Sequence, residues 1–433
     1  MSAETIFALS SGSGRAGVAV VRVSGPAVPA LTRTLIGIEP PARQAALRRL
    51  RDPVNGEGID DALVLFFKGP ASFSGEDLVE FHVHGSLAVI RKLLTVLGQF
   101  PGCRMARAGE FARRAFENGK IDLVESESLA DLIDSETEWQ RRLAFDGSRQ
   151  LRTRAQRWRR ELIECQAEVE ALIDFSDESD VQARLDSDLE RHIAKLAGEI
   201  DSIRNRINIG KRIQQGFRVA ILGPPNAGKS SLVNALADRD VAITSPIPGT
   251  TRDAIETTVD FDGLPVVLVD TAGLRLGSED PIERIGMERA RMAGQKADFV
   301  VWLSAIDSQA EPSVPVDLSV WSKADLGAGP AGMLSVSAIT GRGIDELVRA
   351  IQTYALEGGS EATLQELIAH ERHAQSLGEA SAALKRAVQS DEATLDIRAE
   401  ELRSATSALD SLIGRVHHEL VLDVVFSRFC IGK

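Results

Sequence analysis

Gly223-Pro-Pro-Asn226-Ala227-Gly228-Lys229-Ser230 fits the phosphate-cradling pattern G-x-x-x-x-G-K-[ST] at every fixed position. The spacing predicts a strand over Phe217–Leu222 before it and a helix over Ser231–Ala237 after it. Glycines let backbone N–H groups turn inward around phosphates. Lys229 brings a positive charge to the β- and γ-phosphates, and the Ser230 hydroxyl suits Mg²⁺. A chance Gly-rich turn would not come with both flanking elements and the partners that follow.

Those partners lie downstream in a fixed order. Gly249-Thr250-Thr251-Arg252-Asp253 can place a Thr hydroxyl on Mg²⁺ and a backbone group on the γ-phosphate. Val266–Val269 is an apolar strand leading into Asp270-Thr-Ala-Gly273. Asp270 suits the outer sphere of Mg²⁺, and the Gly273 N–H suits the γ-phosphate. Val316–Trp321 leads into Ser322-Lys323-Ala324-Asp325, and Met333–Val336 into Ser337-Ala338. A carboxylate such as Asp325 accepts from both donors on the edge of guanine, a pair that adenine lacks. The nucleotide expected is therefore GTP, and the stretch resembles the G domains of Ras-like translation-factor GTPases. A Gln usually follows D-T-A-G there and orients the attacking water. Leu274 stands in its place, so another group supplies that function or the domain is a poor catalyst. The Asn226 amide oxygen can coordinate a monovalent cation beside the phosphates.

Around this block the chain has 433 residues, enough for about three domains. With 43% hydrophobic and 26% charged residues, each domain can bury a core, which excludes disordered and collagen-like classes. The net charge of −13 averages +4 over residues 1–120 (15 Lys+Arg, 11 Asp+Glu) and −17 over the rest. It argues against a protein that coats nucleic acid nonspecifically. Cys103, Cys165 and Cys430 form no disulfide or zinc pattern. The N-terminus lacks a signal-peptide pattern and no apolar stretch spans a membrane, so a cytoplasmic protein is expected. Thr5–Leu9, Val18–Val23, Asp61–Phe67 and Leu78–His84 read as strands, and Leu87–Leu97 and Gly109–Asn118 as helices. Ile121–Gly210 has helical periodicity and no Pro, and helix returns after Thr363.

Four blocks outside the nucleotide motifs carry a wider resemblance. They are Gly14-Arg-Ala-Gly-Val-Ala-Val-Val-Arg22-Val-Ser-Gly25, Phe73-Ser-Gly-Glu-Asp-Leu-Val-Glu80-Phe-His-Val-His-Gly85, Arg107-Ala-Gly-Glu-Phe-Ala-Arg-Arg-Ala-Phe-Glu-Asn-Gly-Lys120-Ile-Asp-Leu and the terminal Phe429-Cys430-Ile431-Gly432-Lys433. With the G block they resemble the MnmE (TrmE) family of tRNA-modification GTPases over the whole chain. The resemblance implies a multidomain α+β and α/β fold. An N-terminal α+β folate-binding-like domain (1–120) dimerises. A helical bundle domain in two parts (121–212 and 361–433, with the Cys-Ile-Gly-Lys tail) surrounds an inserted Ras-like P-loop G domain (213–360).

The same resemblance implies a potassium-stimulated GTPase. With the FAD- and NADH-dependent partner MnmG it adds an aminomethyl or carboxymethylaminomethyl group to C5 of the wobble uridine of tRNA, using a folate-borne carbon. The cofactors implied are GTP, Mg²⁺, K⁺ and a tetrahydrofolate derivative in its 5-formyl or methylene form. By position, Arg22, Glu80, Lys120 and Lys433 resemble folate contacts, and Glu283 the catalytic glutamate. Ser230 and Thr251 resemble Mg²⁺ ligands, and Asn226, Ser245, Ile247 and Thr250 the potassium site. GTP contacts would further include Ala227, Gly228, Lys229, Ser231, Asp270, Gly273, Lys323, Asp325, Ser337 and Ala338. Ser322 departs from the usual Asn, a change expected to weaken the base contact or the tie to the P-loop. Cys430 reads equally as a reactive thiol or as a small apolar residue. The competing reading is a regulatory GTPase switch in ribosome assembly. Such proteins usually carry an RNA-binding module after the G domain, and residues 363–433 have no G-x-x-G clamp.

Overall fold

Residues that alternate between core and open face set the first sheet. In Leu78–Gly85, Val79, Phe81 and Val83 are buried, while Glu80, His82 and His84 project to the other side. The computed structural model describes residues 4–174, 179–239, 255–270, 292–307, 310–312, 314–357, 364, 367–389, 395–415, 419–429 and 431–432. Its elements run β1 (Thr5–Leu9), β2 (Ala16–Ser24), α1 (Val28–Ile36), β3 (Ala46–Arg51), β4 (Gly58–Phe67), β5 (Leu78–Gly85), α2 (Leu87–Gly98), β6 (Cys103–Met105), α3 (Glu110–Glu117) and α4 (Leu123–Asp134). Then come α5 (Glu138–Arg142), a π-helical turn (Leu143–Gly147), α6 (Ser148–Asp174), α7 (Ser179–Arg204), α8 (Ile207–Gln215), β7 (Phe217–Leu222), α9 (Lys229–Arg239), β8 (Ile255–Phe261), β9 (Leu264–Asp270), β10 (Phe299–Ser304), β11 (Leu318–Trp321) and β12 (Leu334–Ser335). The last four helices are α10 (Ile344–Ala355), α11 (Glu371–Gln389), α12 (Leu395–Leu412) and α13 (Glu419–Ser427).

The chain divides into two compact units: Met1–Ala130 with Ile413–Lys433, and Asp131–Leu412. In the first, six strands order as β3-β4-β5-β2-β1-β6. All neighbours are antiparallel except β1 and β6. One face packs Phe7, Val21, Phe81 and Val64 against Leu31 and Leu35 of α1 and Leu93 and Leu97 of α2. Ser86 caps α2 by accepting from the Ala88 N–H. β3, Ala-Leu-Arg-Arg-Leu-Arg, was not foreseen as a strand: its charges suit an edge, where they discourage further pairing. Residues from Ile413 onward group with Met1–Ala130, a unit that includes α4 as well as the N-terminal sheet. Leu422, Val425 and Phe426 of α13 meet Ala112 of α3 and Leu123 of α4.

The second unit combines a helical bundle with an α/β sheet. Along α6, Leu151, Ala155, Trp158, Leu162, Cys165 and Val169 are buried at steps of three and four, which is one helix face. A fully buried Leu contributes roughly 1.5–3 kcal/mol. α6 packs on α12, α12 on α11, and α11 on α7. The sheet orders as β12-β11-β10-β7-β9-β8. β7 lies parallel between β9 and β10 and is apolar almost throughout, as expected of a strand covered on both faces. β8 and β9 form an antiparallel hairpin at one edge of this sheet. Its turn places Asp262 (φ 47°) and Gly263 (φ 101°) in the left-handed region, the Asp-Gly signature of a tight hairpin. The Trp139 N–H donates to the Gly263 carbonyl at 3.1 Å, joining this turn to α5. Among the described residues no helix is long and apolar enough to cross a membrane.

Candidate functional site

The loop Gly223–Gly228 leaves the C-terminal end of β7 and enters the first turn of α9. Asn226 sits in the loop at φ 62°, a conformation Asn tolerates, with its side chain exposed. Lys229 begins α9, and its Nζ donates to the carbonyls of Gly223 and Pro224, both at 2.9 Å. The ammonium is thereby held over its own loop. Ser230 and Ser231 are exposed on the first helical turn, where N–H groups lack intrahelical partners. This is a fitting environment for phosphate oxygens, with the Ser230 hydroxyl available to Mg²⁺.

Ala227 is buried, and its carbonyl accepts from the Ser322 hydroxyl at 2.5 Å. Ser322 thus still makes a tie to the P-loop. The short side chain reaches the P-loop because the Ser322 N–H is anchored on the Ser304 carbonyl at 2.8 Å. Next in the chain, Lys323 adopts φ 56° and pairs with Asp307 at 2.7 Å. Asp325 accepts from the Ser337 hydroxyl at 2.5 Å, and the Ala324 N–H donates to Val336 at 3.0 Å. Two loops separated in sequence thus present one carboxylate, with Ala338 beside it, half-exposed. Asp270 ends β9 with its backbone in register with Ile221 of β7, one residue short of the strand's end. Ser245, Ile247, Thr250, Thr251, Gly273, Glu283, Cys430 and Lys433 lie outside the described residues.

On the first unit's sheet, Arg22 of β2 stands directly across from Glu80 of β5 and from Ala8 of β1. Its Nη2 and Nε both donate to one Glu80 oxygen, at 2.8 and 3.0 Å. The guanidinium also lies 5.5 Å from the Phe73 ring and 5.8 Å from the Phe111 ring. The pair is largely covered, at 22% and 16% side-chain exposure, so it is not the loose surface ion pair that its residue types alone would suggest. Lys120 is exposed at the end of the third block. The tail reaches this corner: Ile431 bridges Ala108, and the Ser10 hydroxyl donates to the Gly432 carbonyl at 2.7 Å. Gly432 has φ 103°, and a Cβ there would lie 2.1 Å from the Leu9 carbonyl, so only glycine fits.

Sequence reasoning missed the group that holds these blocks together. Arg114, 4% exposed, donates to Glu76 at 2.9 Å, to Glu110 at 3.2 Å and to the Glu4 carbonyl at 3.0 Å. Burial would raise the Glu110 carboxyl. Hydrogen bonds from the Arg104 guanidinium and the Arg107 N–H, with the charges of Arg104 and Arg114, outweigh it and hold the carboxyl at about 2. Phe73 and Phe111 were legible as the aromatics inside the second and third blocks. Burial pushes the Cys165 thiol up to about 12, which makes it inert. No cluster of three metal-binding side chains occurs among the described residues.

A glycine-rich loop between strand and helix, with its Lys, its Ser and an Asp at the base-reading loop, defines a P-loop GTPase. Residues 5–120 match the model described as "GTP-binding protein TrmE N-terminus", and residues 123–430 the model described as "MnmE helical domain". The chain belongs to the MnmE family of tRNA modification GTPases. It is 47% identical to the "tRNA modification GTPase MnmE" of Beijerinckia indica, over 99% of this chain and 96% of that protein. It is 48% identical to that of Methylorubrum populi (99% and 98%) and 46% identical to that of Roseobacter denitrificans (99% and 100%).

Proposed function

We propose that this chain hydrolyses GTP to drive modification of C5 of the wobble uridine of tRNA, as a potassium-stimulated enzyme acting with the FAD-dependent partner MnmG. The observation that carries this reading is the coexistence in one chain of a wired nucleotide cradle and the Arg22–Glu80 corner. In the cradle, Lys229 neutralises β- and γ-phosphate charge and Asp325 reads guanine. Ser230 and Thr251 hold Mg²⁺, which supplies charge stabilisation on the phosphates. Asn226, exposed in the loop, contributes to a potassium site with Ser245, Ile247 and Thr250. Glu283 orients the water that Leu274 cannot.

At the corner, an acidic glutamate tail calls for cations such as Arg22, Lys120 and Lys433, and a pterin pairs with a carboxylate such as Glu80. The largely covered ion pair beside two aromatic rings suits both demands. The folate would supply a one-carbon unit to the uridine. Homodimerisation through the N-terminal unit is supported by the open face of its sheet. There Leu47 and Leu63 are opposite one another across the strands, with Val18 on β2, and all three are exposed.

Nucleoside analysis of tRNA from cells lacking this chain tests the reading; normally modified wobble uridines would sink it. The potassium assignment has its own check. Hydrolysis should run at least tenfold faster in KCl than in NaCl at equal ionic strength, about 1.4 kcal/mol of barrier. Equal rates remove the assignment.

A further inference from the structure

Residues 141–160 hold eight arginines, no lysine and one acid, Asp146, in a chain whose net charge is −13. They occupy one continuous helical run: α5, the π-helical turn and the first half of α6. Leu151, Ala155 and Trp158 turn inward, so the opposite side of the run faces solvent. Along that side Arg141, Phe145, Arg149, Thr153, Gln156 and Arg160 follow one another at steps of three and four, and all are exposed. At ~1.5 Å per residue the stripe is about 28 Å long.

Ion pairs absorb part of the charge. Glu138 holds Arg141 and Arg142, Glu199 and Glu161 hold Arg157, and Asp410 holds Arg159. Arg149 and Arg160 make no ion pair among the described residues, and they point outward from the same helix face. Phe145 is 52% exposed, an uncommon place for a Phe, and the π-helical turn is what carries it. Forked guanidiniums suit phosphate, amide and hydroxyl side chains suit phosphate and ribose oxygens, and an exposed ring suits an unstacked base.

We infer that this stripe is where the chain itself receives the phosphodiester backbone of tRNA, the inference resting on the tRNA reading above. Fluorescence anisotropy with an unmodified tRNA transcript and the full chain tests it. The Arg149→Glu, Arg160→Glu double variant should bind at least tenfold more weakly. Its log K should depend less steeply on log salt, by roughly 0.7–0.9 for each phosphate no longer neutralised. Phe145→Ala should cost a further few-fold. GTP hydrolysis without tRNA should match the wild type, which also reports that the variants fold; Arg149→Gln with Arg160→Gln gives the same test without charge reversal.

Unchanged affinity and salt slope in these variants, or no tRNA binding by the wild type, overturns the inference. So does an equal loss of binding to polyglutamate, which would make the stripe a docking face for acidic protein. Failure of the underlying reading is seen separately, as unaltered wobble uridines in cells lacking the chain.

Discussion

Eight consecutive residues make the phosphate cradle, whereas the Arg22 corner draws on Ser10, Arg22, Glu80, Ala108 and Gly432. The first is local: a strand, a turn and a helix impose its geometry wherever they occur together. The Arg22–Glu80 pair itself spans only β2 and β5, but the corner around it is closed only when both ends of the chain have found one another. Local sites announce themselves in spacing. Assembled sites do so only through resemblance to chains that assemble the same way.

The contrast can be broken from the local side first. Lys229→Ala removes the charge held over the loop and should lower the GTP hydrolysis rate by at least a hundredfold, about 2.7 kcal/mol of barrier. Affinity for the reduced folate proposed at the Arg22 corner, measured by calorimetry, should not move; a parallel loss would mean that the two regions are not separable.

On the assembled side, Arg114→Ala leaves Glu76 and Glu110 without their buried partner. It should cost the first unit about 3–5 kcal/mol in chemical unfolding. A change below about 1 kcal/mol would show that the blocks hold together without it. Ser322→Ala sharpens the comparison within the nucleotide site. The Ala227 carbonyl would lose its donor, costing ~1–2 kcal/mol, or roughly tenfold in GTP affinity. Unchanged affinity would mean that the loop needs no tie.

The smallest effect is a pH dependence. Glu110 is held at about 2, below its unfolded value of about 4.3. Its contribution is therefore present above the unfolded value and is lost as pH falls toward 2. Glu110→Gln should flatten the loss of first-unit stability between about pH 5 and about pH 3 in urea titrations. A slope equal to the wild type's would assign the loss to other carboxylates.

Period and punctuation made much of the fold legible. Phe217–Leu222, Leu78–His84 and Leu87–Leu97 were readable because a continuous apolar run, an alternation or a helical stripe is written into contiguous residues. β3 was not, since half its residues are Arg, and an edge strand needs only one apolar side. The packing of α13 against both α3 and α4 was not legible either. Its apolar face reads the same whichever core it joins. Within the nucleotide site the residue types were readable, but the Ser322–Ala227 and Asp325–Ser337 bonds were not. A serine's partner depends on where the neighbouring strand delivers it.

The bond between Ser10 and Gly432 also bears on the order of synthesis. β1 leaves the ribosome long before the tail, and the residue that closes its corner follows 422 positions after Ser10. The nucleotide cradle can be finished while the nascent chain is still growing; the Arg22 corner cannot. A product cut short before Ile431 would therefore keep a complete GTP cradle but lack the clasp at its other site. Translation itself thus sets the sequence in which the two sites are assembled.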